Sequence, residues 1–92
     1  MPKYYPFRIA DHYLYFTSEC IVEAMHVHAS DKKLTEANSA KFFVKSDGST
    51  VLQKHGDLNS REINVISRFI KENYLVMYAK WSSRSNQGFF GE

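Results

Sequence analysis

Apolar residues recur at helical spacing over one long stretch, Asn59 to Trp81. Ile63, Ile66, Ile70, Tyr74, Met77 and Trp81 are three or four residues apart, so at about 100° per residue they share one stripe. Asn59 followed by Glu62 predicts a capping box, with Leu58 and Ile63 placed as a hydrophobic staple. Lys80 falls in the last turn, where a cation suits the helix dipole, and Ser82, Ser83 and Ser85 end the pattern. A second apolar set, Val65, Phe69 and Val76, falls well round from the first. A helix lying on one sheet should be polar there. Either the strands wrap further round, or a protein partner or second copy covers that side.

The residues before the helix read as strands. Phe7 to Thr17 is rich in Phe, Tyr, Ile and Leu, interrupted by Asp11 and His12, which can mark a turn or a bulge. Ser18 to Ala24 suits a helical turn or a loop. Met25 to Ser30 alternates, with Val27 on one side and His26 and His28 on the other. Asp31 to Ser39 is a polar loop. Ala40 to Lys45 is the cleanest strand, with Phe42 and Val44 against Lys41, Phe43 and Lys45. Ser46-Asp47-Gly48-Ser49 is a turn, and Thr50 to His55 returns as the second strand of a hairpin. Residues 1–6 carry Pro2 and Pro6 and read as an extended lead-in. In the tail, residues 84–92, Gly88 and Gly91 flank Phe89 and Phe90; it is either mobile or folded back onto the core.

The predicted fold is therefore α+β: a small antiparallel sheet of three or four strands, covered on one face by a single long C-terminal helix. The other face is expected to be open or covered by a partner. Ninety-two residues make one domain, 1–92, and the 43% hydrophobic and 15% aromatic content suffices for folding. A net charge of +2 fits a nucleic-acid or acidic protein partner without demanding either. Cys20 is the single cysteine, which predicts no internal disulfide, excludes a cysteine-based zinc site within one chain, and points to a reduced compartment. No signal peptide and no span of transmembrane length are visible, so the expectation is cytoplasmic with no membrane partner.

Several residues resemble a known family. The segment EAMHVHA, Glu23 to Ala29, resembles an E-P-x-H-x-H-V motif, and AKFF, from Ala40, resembles the A-K-F-W strand that follows it. LNSREI, Leu58 to Ile63, resembles an L-S-x-R-E-L helix start, and Glu72-Asn73 with Trp81 resemble the E-N and W of its terminal helix. In order and spacing these resemble the bacterial family catalogued as domain of unknown function 4160, over about Phe7 to Trp81. The chain departs from it in having Ala24 for the usual proline and in the longer loop at Asp31 to Ser39. The resemblance implies no established activity; small members of the family look like halves of two-gene, toxin–antitoxin-like units.

The candidate chemistry gathers on the histidines. His26 and His28 leave one strand face about 7 Å apart, a spacing that can chelate a transition metal given further ligands. His55, Asp57 and His12 are the candidates for those. The same histidines with His55 suit acid–base work in a small nuclease, with Lys41, Lys45 or Lys54 as phosphate contact. Alternatively both histidines pack on the sheet and bind nothing. Lys41, Phe43 and Lys45 on an open face would suit RNA or single-stranded DNA. No nucleotide-binding fingerprint, calcium loop or nucleophile elbow is present, and no cofactor is expected. Cys20 reads as a packing residue. The favoured function is a non-enzymatic protein-interaction module, with nucleic-acid binding and a histidine-dependent enzyme as the alternatives.

Overall fold

A computed structural model describes residues 3–17, 20–31 and 39–91. Four antiparallel strands form one sheet in sequential order: β1 (Tyr13–Tyr15), β2 (His26–Ser30), β3 (Ala40–Val44) and β4 (Thr50–Lys54). One helix, α1 (Ser60–Ser82), follows and packs against the sheet. The predicted α+β fold is present.

The helix begins where its local chemistry directs. Asn59 is the N-cap: its side chain accepts from the Glu62 N–H at 2.8 Å, and Glu62 accepts from the Asn59 N–H at 3.0 Å. These bonds satisfy donors that the first turn would otherwise leave without partners. Ile66, Ile70, Met77 and Trp81 are fully buried, and Ile63 and Tyr74 pack half-buried beside them. Register places Leu14 opposite Ala29, Ala29 opposite Ala40, Val27 opposite Phe42, and Phe42 opposite Leu52. These residues therefore share one sheet face, the face that α1 covers. Thr50 Oγ1 reaches Ser67 Oγ from β4 at 3.3 Å.

The long first strand predicted for Phe7 to Thr17 is shorter than expected. Ala10 and Asp11 take left-handed conformations, with φ of 50° and 65°, inside a tight turn closed by paired Ile9 and His12 backbone bonds. The interruption at Asp11 and His12 is thus a turn, and β1 starts at Tyr13. The described lead-in is not a free extension. Lys3 bridges to Tyr15, the Tyr4 N–H bonds Leu14 O at 2.8 Å, and Tyr5 meets Phe69 edge-on at 5.3 Å. Among the described residues of the stretch expected at Ser18 to Ala24 lies a 3-10 turn, Cys20–Val22. Most of the polar loop expected at Asp31 to Ser39 lies outside the described residues.

The second sheet face departs most from expectation. Tyr15, His28, Lys41, His26 and Phe43 share it by register, and all five are buried. Three described elements close it. The 3-10 turn brings Cys20 against His28, Glu23 lies over Lys41, and the tail lays Phe90 on Phe43. The tail is pinned by backbone bonds from Met25 N–H to Gly88 O and from Phe90 N–H to Val44 O. Of the two readings of the tail, folding back onto the core is the one seen.

Candidate functional site

The alternation His26-Val27-His28 on β2 sends both imidazoles to the second face. Their ring centroids are 5.1 Å apart and nearly perpendicular. Trp81 and Phe43 each lie 5.5 Å from the His26 ring, and Tyr15 stacks on His28 at 5.6 Å. The chain then turns through Cys20–Val22, which carries the thiol of Cys20 into the same interior. Cys20 Sγ lies 3.2 Å from His28 Nε2, and it accepts from the Thr17 N–H at 3.3 Å. Cys20 Sγ and one ring nitrogen of each histidine all lie within 4.8 Å of one another.

The outer nitrogens of the two rings are held. His26 Nδ1 is 2.8 Å from Ala24 O, a carbonyl that can only accept, so Nδ1 carries the proton and Nε2 presents a lone pair. That Nε2 is buried without a hydrogen-bond partner among the described residues. His28 Nδ1 lies 3.0 Å from Ser39 Oγ. Burial disfavours the charged form of both rings and pushes both pKa values down. His28 is lowered from 6.5 to about 3, by desolvation first and then by His26, Lys41 and Lys54. Both are neutral at pH 7.

Of the other residues singled out in the sequence, few join this cluster. Lys41 shares the face but is buried, its ammonium 2.9 Å from Glu23 Oε1 and 4.9 Å above the Phe43 ring. Phe43 lies under Phe90. The open Lys/aromatic surface expected for nucleic acid is therefore closed at Lys41 and Phe43, and only Lys45 of that set is exposed. His55 is exposed, bonded to Gly56 O, and takes no part in the His26/His28 cluster; neither do His12 and Asp57. His12 is buried near Ala10 O and Glu62. On α1, Phe69 is half-buried against Tyr5 and Phe7, while Val65 and Val76 are exposed, with Leu75 beside them. The lead-in, and not a wrapped sheet, takes up the middle of that stripe.

Cys20 is the residue that sequence reasoning passed over. One cysteine does not build a cysteine-rich zinc site, but it can complete a mixed one. Its distance of eight residues from His28 falls in no metal-binding motif, so spacing gave no signal. Two surface depressions are lined by Ile21, Val22 and Arg84 to Gln87, and by Lys3, Phe16, Lys80, Ser83 and Arg84. Neither is lined by a histidine.

A sequence model of the family described as Domain of unknown function (DUF4160) matches residues 12–82. The chain belongs to this family. The match runs from His12 through the last residue of α1, so it takes in all four strands, the histidine pair and Cys20. In this member of DUF4160 the two histidines of the E-A-M-H-V-H segment lie on an interior strand and are buried. No curated protein matches the chain. No solved structure matches it either. No helix is long and apolar enough to cross a membrane among the described residues.

Proposed function

We propose that the chain is a non-enzymatic interaction domain that accepts an extended strand of a small partner protein along β4, within a two-gene, toxin–antitoxin-like unit. One observation carries the reading. β4 ends the sheet order, and Val51 and Leu52, one on each sheet face, are 36% and 40% exposed. An edge strand with apolar side chains in solvent is a template for strand addition, in which main-chain bonds give affinity and alternate side chains give specificity. Lys54 lies on β4, and Lys45 and Lys71 lie at the β3–β4 turn beside the single carboxylate of Asp47, so the fitting strand carries acidic side chains. Two copies of the chain would bring these cations together, which disfavours self-pairing. The two-gene setting comes from the family resemblance alone.

The buried histidines argue in the same direction. A nuclease would need His26 and His28 within reach of a phosphate, and both are at most 1% exposed.

Co-expression with the adjacent gene's product, followed by titration of the purified pair, tests the reading. Val51→Glu with Leu52→Glu should weaken binding at least tenfold, and binding should protect β4 amides from hydrogen exchange. Val76→Glu on the helix should not. Binding unchanged by the β4 pair, binding lost with Val76→Glu alone, self-association through β4, or no complex would each reject it.

A further inference from the structure

We propose that Cys20, His26 and His28 form a buried site for a divalent transition-metal ion of the zinc class, which ties the 3-10 turn to the second face of the sheet. Three observations carry this, independently of how β4 is used. The ligand atoms of the three residues converge within 4.8 Å of one another. Zinc at about 2.3 Å from sulfur and about 2.0–2.1 Å from nitrogen sets tetrahedral ligand spacings of roughly 3.3–3.6 Å. The Cys20 Sγ to His28 Nε2 distance of 3.2 Å is already near that value. The widest separation must close by roughly 1 Å on the same measure.

The second observation is the lone pair on His26. Its Nδ1 proton is committed to Ala24 O, and Nε2 is buried with no partner among the described residues. Such an acceptor has lost water and gained nothing in return. A metal ion is the partner for which a neutral, oriented imidazole is suited.

The third is the surrounding shell. Ligating histidines characteristically use the far nitrogen against a carbonyl or hydroxyl, which fixes tautomer and ring orientation. Ala24 O and Ser39 Oγ stand in those places, and the Thr17 N–H at 3.3 Å is placed to support a thiolate on Cys20. An ion is held by neutral imidazole and by thiolate, the forms in which His26, His28 and Cys20 would ligate it.

Binding is a simple exchange. The Cys20 S–H bond breaks, an S–Zn bond forms, the proton leaves to solvent, and no electron is transferred. Two imidazoles, one thiolate and one water complete four-coordination. The charges around the site oppose one another. Lys41 on β3 and Lys54 on β4 disfavour a cation, while Glu23, ahead of β2, lies 2.9 Å from Lys41 and offsets it. Tyr4 faces Cys20 with a neutral hydroxyl that donates to His26 O. All three donors are already buried, so binding an ion costs them little further dehydration.

The test uses the full chain, purified in chelator and then titrated with zinc chloride and cobalt chloride. One equivalent of zinc should bind with release of one proton, and zinc at 100 times its Kd should raise the folding constant about 100-fold. Cobalt should give a thiolate charge-transfer band that Cys20→Ser abolishes, and His26→Gln should weaken zinc binding at least tenfold. Circular dichroism in chelator shows whether each variant is folded. If the variants do not fold, imidazole 15N shifts of the native chain decide: zinc should move Nε2 of both His26 and His28. No thiolate band, no zinc-dependent stability, shifts confined to His12 or His55, or unchanged binding by folded Cys20→Ser would overturn the site.

Discussion

Phe90 lies flat on Phe43, ring centroids 4.4 Å apart and planes within 26°. Its neighbour Phe89 goes the other way, stacking at 4.1 Å on Tyr78 of the helix. The tail thus straddles one end of the sheet, with one ring on each face. Phe90→Ala should cost about 1–3 kcal/mol, below the 3–5 of a fully buried Phe because the ring is half-buried. Urea unfolding measures it. A loss under about 0.5 kcal/mol, the range of an ordinary surface change, would mean the tail does not close this face in solution.

Ile70 and Val76 lie on the same helix with opposite surroundings. Ile70 is fully buried against the sheet, and Val76 is 54% exposed. Ile70→Ala should cost about 2–5 kcal/mol, whereas Val76→Ala should stay within about 0.5. Comparable losses at both sites in equilibrium denaturation would contradict the docking of α1.

How much of this was legible in the sequence depends on the range of the forces involved. The cap at Asn59, the stripe through Ile66, Ile70 and Met77, and the Asp47-Gly48 hairpin are written in neighbouring residues, and local hydrogen bonds and periodicity suffice to read them. The direction of His26 and His28 was legible from alternation alone. Their burial was not. A polar–apolar alternation ordinarily marks a solvated face, but an imidazole has an aromatic body and a polar tip, and here the bodies pack among Tyr15, Phe43 and Trp81. What covers that face comes from residues 20–23 and 88–90. They reach it only through tertiary contacts, and no periodicity announces them. The approach of Cys20 to His28 is of the same kind.

The hairpin turn predicts its own sensitivity. Gly48 has φ of 86°, and a Cβ built there would lie 2.6 Å from Tyr74 Cδ1. Gly48→Ala therefore meets both an unfavourable backbone conformation, about 1–2 kcal/mol, and a ring that must move. Thermal unfolding should show the loss. Adding Tyr74→Ala should recover the steric part of that penalty but not the backbone part. An unchanged midpoint for Gly48→Ala would mean that the turn does not press on Tyr74.

The neutral histidines set a pH dependence on the metal-free protein. In the unfolded chain His28 takes a proton near its usual 6.5, but in the fold burial, reinforced by His26, Lys41 and Lys54, delays this to about 3. The unfolded state therefore binds more protons throughout that window, and stability must fall as pH falls through it. The contribution is fully present above about 6.5 and is exhausted near 3. Between pH 7 and 5 His28 alone should remove about 2 kcal/mol, from a limiting slope of about 1.4 kcal/mol per pH unit. His26, also lowered chiefly by burial, adds a loss of the same sign. Glu23 is held below the usual carboxylate range by its bond to Lys41, so its own loss begins at lower pH, where unfolded carboxylates start to protonate. The range from 7 to 5 thus reports the histidines. Urea midpoints measured in chelator at pH 7, 6 and 5 should fall steadily, and the fall should shrink in His28→Gln. A flat profile across these pH values would require both imidazoles to titrate normally, which is incompatible with their burial under Trp81, Phe43 and Tyr15.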